Sequence, residues 1–267
     1  SGKTYALGPK PATLIARVRG LHLDEKHVTF NGRPIPGGLM DFALYLYHNH
    51  AALKAIGSGP YFYLPKLEHC EEARWWNDVF VAAQGMLGLP VGTVRATMLI
   101  ETLPAVFEMD EMLFELRDHA AALNCGRWDY IFSYIKTLKR HPDRLLPDRH
   151  AVGMDKPFLD AYSRLLVRTC HRRGALAMGG MSAFLPAKTP EQDAINKEKV
   201  RADKEREAMN GHDGSWIAHP ALAETVNRVY SAAFRPGKTN QLDVSRANDG
   251  PITAEDLLAP PDGPFTE

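Results

Sequence analysis

Short runs of apolar and β-branched residues alternate along this chain with longer stretches in which apolar residues recur every three or four positions. The first pattern is typical of buried strands and the second of amphipathic helices. Eight segments show the strand pattern: 12–17, 61–64, 94–100, 122–126, 149–154, 175–178, 215–218 and 241–245. Because repeated strand–helix units place parallel strands in one sheet, the alternation predicts an α/β protein, and eight units predict a TIM (β/α)8 barrel.

Three of the intervening segments have clear helical character. In segments 105–120 and 156–173 the apolar residues fall on one face, which predicts two helices packed on a core. Segment 196–210 is instead dense in charges of both signs, which predicts a solvated helix. Gly174 and Gly211 follow the last two segments and suit left-handed caps at the helix ends.

The length of 267 residues suits a single barrel, since barrels of this class commonly have about 250 residues. We assign residues 1–250 to the barrel body and the proline-rich residues 251–267 to a trailing linker toward a C-terminal domain outside this sequence. The chain starts at Ser1 rather than at methionine and has no apolar signal segment there. We therefore expect it to begin inside a longer protein.

Composition excludes several classes of partner. Basic and acidic residues number 32 each, which argues against a nucleic-acid-binding protein. The apolar runs fall far short of the roughly 20 residues that span a bilayer, so no membrane segment is predicted. Three cysteines without a Cys-x-x-Cys spacing argue against a disulfide framework or a zinc knuckle. We expect a reducing, cytoplasmic compartment and a small-molecule substrate.

In such a barrel the active site forms where the strands end, so polar residues just past each strand are the first candidates. Arg19 follows the first predicted strand, and Gly20 permits a sharp turn that presents its guanidinium at the barrel mouth. Arg19 is then placed either to bind a carboxylate or enolate oxygen or to pair with a neighbouring carboxylate. Lys66 follows the second strand and is either an anion-binding group or a surface lysine.

Two carboxylates follow the next two predicted strands. Glu101 directly follows the third strand, and Asp129 comes shortly after the fourth. A pair of carboxylates on neighbouring strands suits Mg²⁺, which takes its other ligands from water and substrate oxygens. The alternative is that one of them is an ion-pair partner of Arg19. The histidines show no His-x-x-x-His pair with a third ligand and the glycines no phosphate loop, so neither a zinc site nor nucleotide binding is predicted.

Seven ordered segments of the chain resemble the malate synthase family. They are 117–132 (RDHAAALNCGRWDYIF), 17–23 (RVRGLHL), 61–66 (YFYLPK), 100–104 (IETLP), 169–174 with 178–181 (TCHRRG and MGGM), 200–206 (VRADKER) and 214–220 (GSWIAHP). They occur between residues 17 and 220 and so extend along most of the chain, which therefore resembles the barrel portion of the shorter, A-type malate synthases.

The resemblance implies an acyltransferase of the glyoxylate bypass and tricarboxylic acid cycle, which condenses glyoxylate with acetyl-CoA and hydrolyses the thioester to malate and CoA. It implies Mg²⁺ as cofactor, with Glu101 and Asp129 as its ligands. Arg19 would be the catalytic arginine that stabilises the enolate of the acetyl thioester. Backbone amides near Trp128 and Asp129 would bind the glyoxylate carboxylate, so these two residues join Arg19 and Glu101 as predicted substrate contacts.

In the family an aspartate of a C-terminal helical domain is the base that removes the acetyl proton, and this sequence has no counterpart to that domain. We therefore expect the chain alone to bind Mg²⁺ and glyoxylate but to condense poorly. Two alternatives stay open. One is a Mg²⁺-dependent malyl- or citramalyl-CoA lyase or thioesterase, which would use the same metal and arginine. The other is a degenerate, non-catalytic barrel that serves as a binding module.

Overall fold

The computed structural model of this chain describes residues 6, 8–9 and 11–266, so the expectation about the chain start at residues 1–5 lies outside the described residues, as do residues 7, 10 and 267. The strands are β1 (Ile15–Arg17), β2 (Asp24–Phe30), β3 (Arg33–Pro36), β4 (Tyr61–Leu64), β5 (Arg95–Ile100), β6 (Ala120–Cys125), β7 (Leu176–Gly179) and β8 (Gly214–Ser215). The α-helices are α1 (Gly37–Ala55), α2 (Cys70–Met86), α3 (Met109–Glu115), α4 (Arg127–Leu138), α5 (Pro157–Arg172), α6 (Pro190–Asn210), α7 (Ala223–Ala233) and α8 (Ala254–Leu258).

Six strands form one parallel sheet in the order β1-β4-β5-β6-β7-β8, and β2 and β3 form a separate antiparallel hairpin. The sheet curls on itself. Trp216, just after β8, donates its indole N–H to the hydroxyl oxygen of Tyr63 on β4 at 3.0 Å, although the two strands lie four places apart in the sheet. The guanidinium of Arg17, at the end of β1, lies 5.8 Å from the centre of the Trp216 ring. The strand order and the curl are those of an α/β barrel.

Six of the eight predicted strands are confirmed, with ends that shift by at most three residues. The two predictions at 149–154 and 241–245 are wrong. In the first segment the backbone bonds locally, with the N–H of Val152 donated to the carbonyl of Arg149 in a short 3-10 helix. In the second, the N–H of Val244 is donated to the carbonyl of Gln241. Because these groups bond within their own segments, they form no ladder with a neighbouring strand.

The predicted helices are present with different bounds. Helix α5 matches segment 156–173 and is followed by Gly174 at a φ of 71°, and α6 ends at Gly211 with a φ of 98°. Segment 105–120 divides into a 3-10 helix and the shorter α3. The solvated character predicted for α6 is wrong, because one face of it is buried. That face carries Val200, Asp203, Lys204, Glu207 and Ala208.

The core lies between the sheet and the helices. In β5 every residue after Arg95 is buried, as expected for a parallel strand that is covered on both faces. Segment 251–267 contains α8, which packs on α5, and Tyr134 donates its hydroxyl to the carbonyl of Leu258 at 2.7 Å. Within the described residues, none of the helices has the length and apolarity to cross a membrane.

A buried ion pair predicts pH-dependent stability. His171 on α5 faces two acceptors, with Nε2 at 2.9 Å from Asp213 and Nδ1 at 2.7 Å from the carbonyl of Val244. Burial lowers the pKa of His171, but the hydrogen bonds to Asp213 and Val244 outweigh it and raise the pKa above the ordinary 6.5. This pair therefore stabilises the fold fully below pH 6.5, and its contribution is lost as the pH rises through the raised pKa.

The His171→Gln variant is expected to lack this contribution. The difference in unfolding free energy between the original chain and the variant should be larger at pH 6 than at pH 9. The decrease should be about 1.4 kcal/mol for each unit by which the folded chain raises the pKa of His171. Urea denaturation at the two pH values measures it. A difference that grows with pH would contradict the charge assigned to His171.

Candidate functional site

Glu101 and Asp129 meet at the carboxyl ends of neighbouring strands. Glu101 directly follows β5, and Asp129 is the third residue of α4, which follows β6. Gly126 permits this approach, because a Cβ at that position would lie 2.3 Å from the Cβ of Glu101. The Glu101 side chain is 2% exposed, whereas that of Asp129 is 47% exposed. One carboxylate is therefore held inside the barrel mouth and the other faces the solvent.

Lys66 lies between the two carboxylates. Its Nζ is 3.1 Å from Oε2 of Glu101 and 2.8 Å from Oδ2 of Asp129, and its backbone N–H is donated to Oε1 of Glu101 at 2.7 Å. The backbone φ of Lys66 is 60°, a left-handed conformation that is uncommon for a residue other than glycine. Such strain is held in place by surrounding contacts and is frequent at functional sites. The sequence indicated a lysine at the rim, and the structure places it at the carboxylate pair.

The two carboxyl groups have different proton affinities. Burial and the adjacent Asp129 raise the pKa of Glu101 above its ordinary value, and Lys66 opposes the rise. At Asp129 burial also disfavours the charge, but hydrogen bonds with Glu101 and Lys66 outweigh it and lower the pKa. Two carboxylates that share one site separate in this way because each disfavours the charge of the other, even with Lys66 between them. The site therefore favours a bound positive charge.

The two arginines after β1 have different environments. Arg19 binds Asp41 through Nε at 2.9 Å and Nη2 at 2.8 Å, and it binds Glu25 through Nη1 at 2.8 Å. This is the ion-pairing alternative that the sequence left open for Arg19. Arg17 is the arginine whose Nη2 lies 3.8 Å from Oε1 of Glu101, and its side chain is 44% exposed. Arg17 ends β1, so the position of the strand end is the signal that distinguishes it from Arg19.

The N-terminus of α4 points its first amides toward the same strand ends. The helix begins at Arg127 after Gly126, and it has no side-chain cap. The amides of its first turn, including those of Trp128 and Asp129, therefore lack intrahelical partners and suit an anion. The Trp128 side chain has another contact, because its indole N–H is donated to the carbonyl of Met181 at 3.0 Å. The backbone N–H of Trp128, rather than its ring, is therefore the group suited to bind an anion.

A cavity of about 330 Å³ adjoins these groups. Its walls include Lys66, Glu101 and Asp129, together with His22 and Lys136. The volume accommodates a small organic acid. Sequence reasoning did not identify His22 or Lys136, since neither stands at the end of a predicted strand.

The donors at this site suit a hard divalent cation. Glu101 and Asp129 supply carboxylate oxygens, which are the ligands that Mg²⁺ prefers. The ammonium group of Lys66 already contacts both carboxylates, so it occupies the position of a positive charge between them. Residues and charge thus fit a divalent metal.

Comparison with known proteins places this geometry in a family. A family model described as the malate synthase TIM barrel domain matches residues 13–260. Malate synthase A of Escherichia coli (strain K12) is 64% identical over the whole chain, and malate synthase of Myxococcus xanthus (strain DK1622) is 55% identical over the whole chain. The chain covers 50% and 49% of these two proteins, so it spans about half the length of the curated relatives it matches.

Solved structures resemble the chain in fold. The Haloferax volcanii malate synthase lead(II) complex has a TM-score of 0.55 at 15% identity, over 85% of this chain and 56% of that chain. A citrate lyase from Burkholderia xenovorans LB400 has a TM-score of 0.54 at 20% identity, over 72% of this chain and 53% of that one. At these identities the likeness concerns the fold alone. With the family match, it confirms the predicted TIM barrel.

Proposed function

The chain belongs to the malate synthase family through that family's TIM barrel domain, and from this premise we propose that it is the barrel portion of an enzyme that condenses glyoxylate with acetyl-CoA. Hydrolysis of the resulting thioester gives malate and CoA. The observation that carries the proposal is the Glu101–Asp129 pair, with Lys66 between the carboxylates and Arg17 beside them. The reaction needs one cation beside the aldehyde of glyoxylate and another beside the enolate of the acetyl group. The carboxylate pair can bind the first, and an arginine can supply the second.

Glu101 and Asp129 are the groups that would hold the divalent metal, which we propose to be Mg²⁺ because both donors are carboxylate oxygens. When bound, Mg²⁺ supplies Lewis-acid polarisation of the aldehyde of glyoxylate. The uncapped amides at the start of α4, at Trp128 and Asp129, bind the glyoxylate carboxylate and orient the aldehyde. The cavity at these strand ends, about 330 Å³ in volume, is large enough to hold glyoxylate.

An arginine stabilises the negative charge that develops on the acetyl oxygen when its methyl proton is removed. The sequence favours Arg19 for this role, but three guanidinium nitrogens of Arg19 already bind Asp41 and Glu25. Arg17 reaches Glu101 at 3.8 Å and keeps exposed donors. We therefore assign the enolate to Arg17 and the support of the β1 turn to Arg19. The proton acceptor belongs, in this proposal, to the part of the family's enzymes beyond the barrel.

Calorimetry and a product assay test the proposal. The 267-residue chain should bind glyoxylate only when Mg²⁺ is present, and it should form malate from acetyl-CoA about 10²- to 10⁴-fold more slowly than a full-length relative, since that is the usual contribution of a general base. If the chain bound neither Mg²⁺ nor glyoxylate, the alternative of a non-catalytic barrel that binds another partner would be favoured. Thioester cleavage without glyoxylate would favour the lyase or thioesterase alternative. A full malate synthase rate would place the base within these residues.

A further inference from the structure

A second group of metal-binding side chains lies at the start of α2, outside the carboxylate site. His69, Cys70 and Glu108 each offer a ligand atom, and the three atoms lie within 4.8 Å of one another. His69 directly precedes α2, Cys70 is its first residue, and Glu108 ends the 3-10 helix before α3. The group therefore joins two elements that are separated along the chain.

The distances are close to those of a metal site. Nε2 of His69 lies 3.2 Å from Oε1 of Glu108, and Sγ of Cys70 lies 3.8 Å from Nδ1 of His69. Tetrahedral zinc with nitrogen, sulfur and oxygen ligands brings the ligand atoms to about 3.4–3.6 Å from one another. The two contacts use opposite nitrogens of the His69 ring, so the ring and the Cys70 side chain have to turn before all three residues face one ion, and their ligand atoms start within 4.8 Å of one another.

We propose that His69, Cys70 and Glu108 form a site for a thiophilic divalent cation, Zn²⁺ in the first place, with the fourth position open to water or another small ligand. Imidazole and thiolate select Zn²⁺ over Mg²⁺, whereas the all-oxygen pair of Glu101 and Asp129 selects the harder ion. The chain thus carries two metal sites of different chemistry, and the segment from Lys66 to His69 connects them.

The contacts of the three side chains are compatible with a bound cation. In the part of the chain that the structure describes, the ion pair of Glu108 is made with His69 and not with a lysine or arginine. Burial and the nearby Glu108 carboxylate raise the pKa of the Cys70 thiol. A bound cation offsets that repulsion and favours the thiolate, which is the ligand form.

Metal binding exchanges one hydrogen bond for a coordinate bond. At present Nδ1 of His69 accepts the N–H of Glu71 at 3.2 Å and caps α2. Coordination through Nε2 puts the ring proton on Nδ1, so that capping bond is given up. The other half of the cap remains, because Glu72 accepts the backbone N–H of His69 at 3.1 Å. The helix start therefore tolerates the change.

The test uses the whole chain with Zn²⁺ alone and with Co²⁺ as a spectroscopic substitute. Co²⁺ should give a thiolate-to-metal charge-transfer band, which reports Cys70 because Cys125 and Cys170 are buried. Cys70→Ser should abolish the band, because it removes the thiolate. It should also weaken Zn²⁺ binding by at least about tenfold, since even replacing a residue that only supports a metal ligand typically costs about 10- to 100-fold in affinity.

Two further variants remove a ligand while they preserve the local structure. His69→Asn keeps an oxygen that caps α2 but loses the distal nitrogen, and Glu108→Gln keeps an acceptor for the N–H of Cys70. Both should weaken Zn²⁺ binding. The matched controls His48→Ala and Glu111→Gln alter exposed residues outside the cluster and should bind Zn²⁺ as the original chain does.

The outcomes separate this site from the carboxylate pair. Asp129→Asn should leave the charge-transfer band intact. If the original chain shows no thiolate band with Co²⁺, or if Zn²⁺ binding is lost in Asp129→Asn and kept in Cys70→Ser, the proposal is overturned. The cobalt spectrum of the original chain decides the matter even where a variant fails to fold.

Discussion

The Asp129→Asn variant is expected to bind Mg²⁺ at least about 100-fold more weakly than the original chain. Loss of a residue that only supports a metal ligand costs about 10- to 100-fold in affinity, and Asp129 would be a ligand itself. Mg²⁺ is held in proteins by one or two carboxylates, and Asp129 is the member of the pair with the lowered pKa. Without it, Glu101 remains beside Lys66, whose ammonium group already balances a single charge. Titration calorimetry of the chain with Mg²⁺ measures the change.

A second variant at the same site should act in the opposite direction. The ammonium group of Lys66 contacts the oxygens that would coordinate the metal, so Lys66→Met should bind Mg²⁺ more tightly than the original chain. Asp78→Asn, which changes an exposed aspartate on α2, is the matched control and should bind as before. If Asp129→Asn and Asp78→Asn have the same affinity, Glu101 and Asp129 are not the metal site.

The carboxylate pair was predictable because one topological rule determines it. In parallel barrels the strands end on the same side, so residues just past β5 and β6 lie near each other. Glu101 directly follows β5 and Asp129 lies in the first turn of the helix after β6, with Gly126 permitting their close approach. The position of Lys66 between them was not predictable, because it depends on a left-handed backbone conformation that the sequence gives no reason to expect at a lysine.

The different environments of Arg17 and Arg19 depend on contacts between residues that are distant in the sequence. Both arginines stand near the end of the first strand, and the turn at Gly20 favours the second of them. Arg19 is instead bound by Asp41, which lies 22 residues away on α1, and by Glu25 on the hairpin. Partners at such separations do not appear in the periodicity of a strand, so spacing alone leaves open whether Arg19 binds substrate or pairs with a carboxylate.

The two wrong strands have a similar explanation. Val152 and Met154 are both buried, with a glycine between them, which imitates the alternation of a strand. Burial alone produces that pattern in any segment that lies against the core. What a strand also needs is a row of backbone partners, whereas the amides of Ala151 and Val152 are donated to the nearby carbonyls of Asp148 and Arg149. The hydrophobic pattern carries no information about that requirement.

The prediction that α6 is solvated was wrong because it rested on apolar residues alone to indicate a buried helix face. The buried positions of α6 do follow the three-and-four spacing of a helix face, but charged residues occupy three of them: Asp203, Lys204 and Glu207. Arg127 balances them from α4, with Nη2 at 2.5 Å from Oδ2 of Asp203 and 3.3 Å from Oε1 of Glu207. These buried charges form one network, and the partly exposed Arg206 joins it through Asp203 at 3.1 Å.

Lys204→Met is expected to destabilise the chain by about 3–5 kcal/mol, since removing one partner of a buried ion pair leaves an uncompensated charge. Nζ of Lys204 is fully buried and lies 2.5 Å from the carbonyl oxygen of Gly180, 3.1 Å from Glu207 and 3.2 Å from Asp203. In the variant Arg127 and the partly exposed Arg206 are left to balance the two carboxylates. The free energy of unfolding in urea, at a pH where both carboxylates ionise in the unfolded chain, measures the loss.

Lys197→Met is the matched control, because it makes the same substitution on the same helix at an exposed ion pair. Lys197 bonds Asp193 at 2.7 Å with a side chain that is 42% exposed, and such pairs contribute about 0–1 kcal/mol. The contrast between the two variants isolates burial from helix propensity, since lysine and methionine form helices about equally well. Equal losses would mean that the network on α6 is hydrated, and that its charges stabilise the barrel no more than surface pairs do.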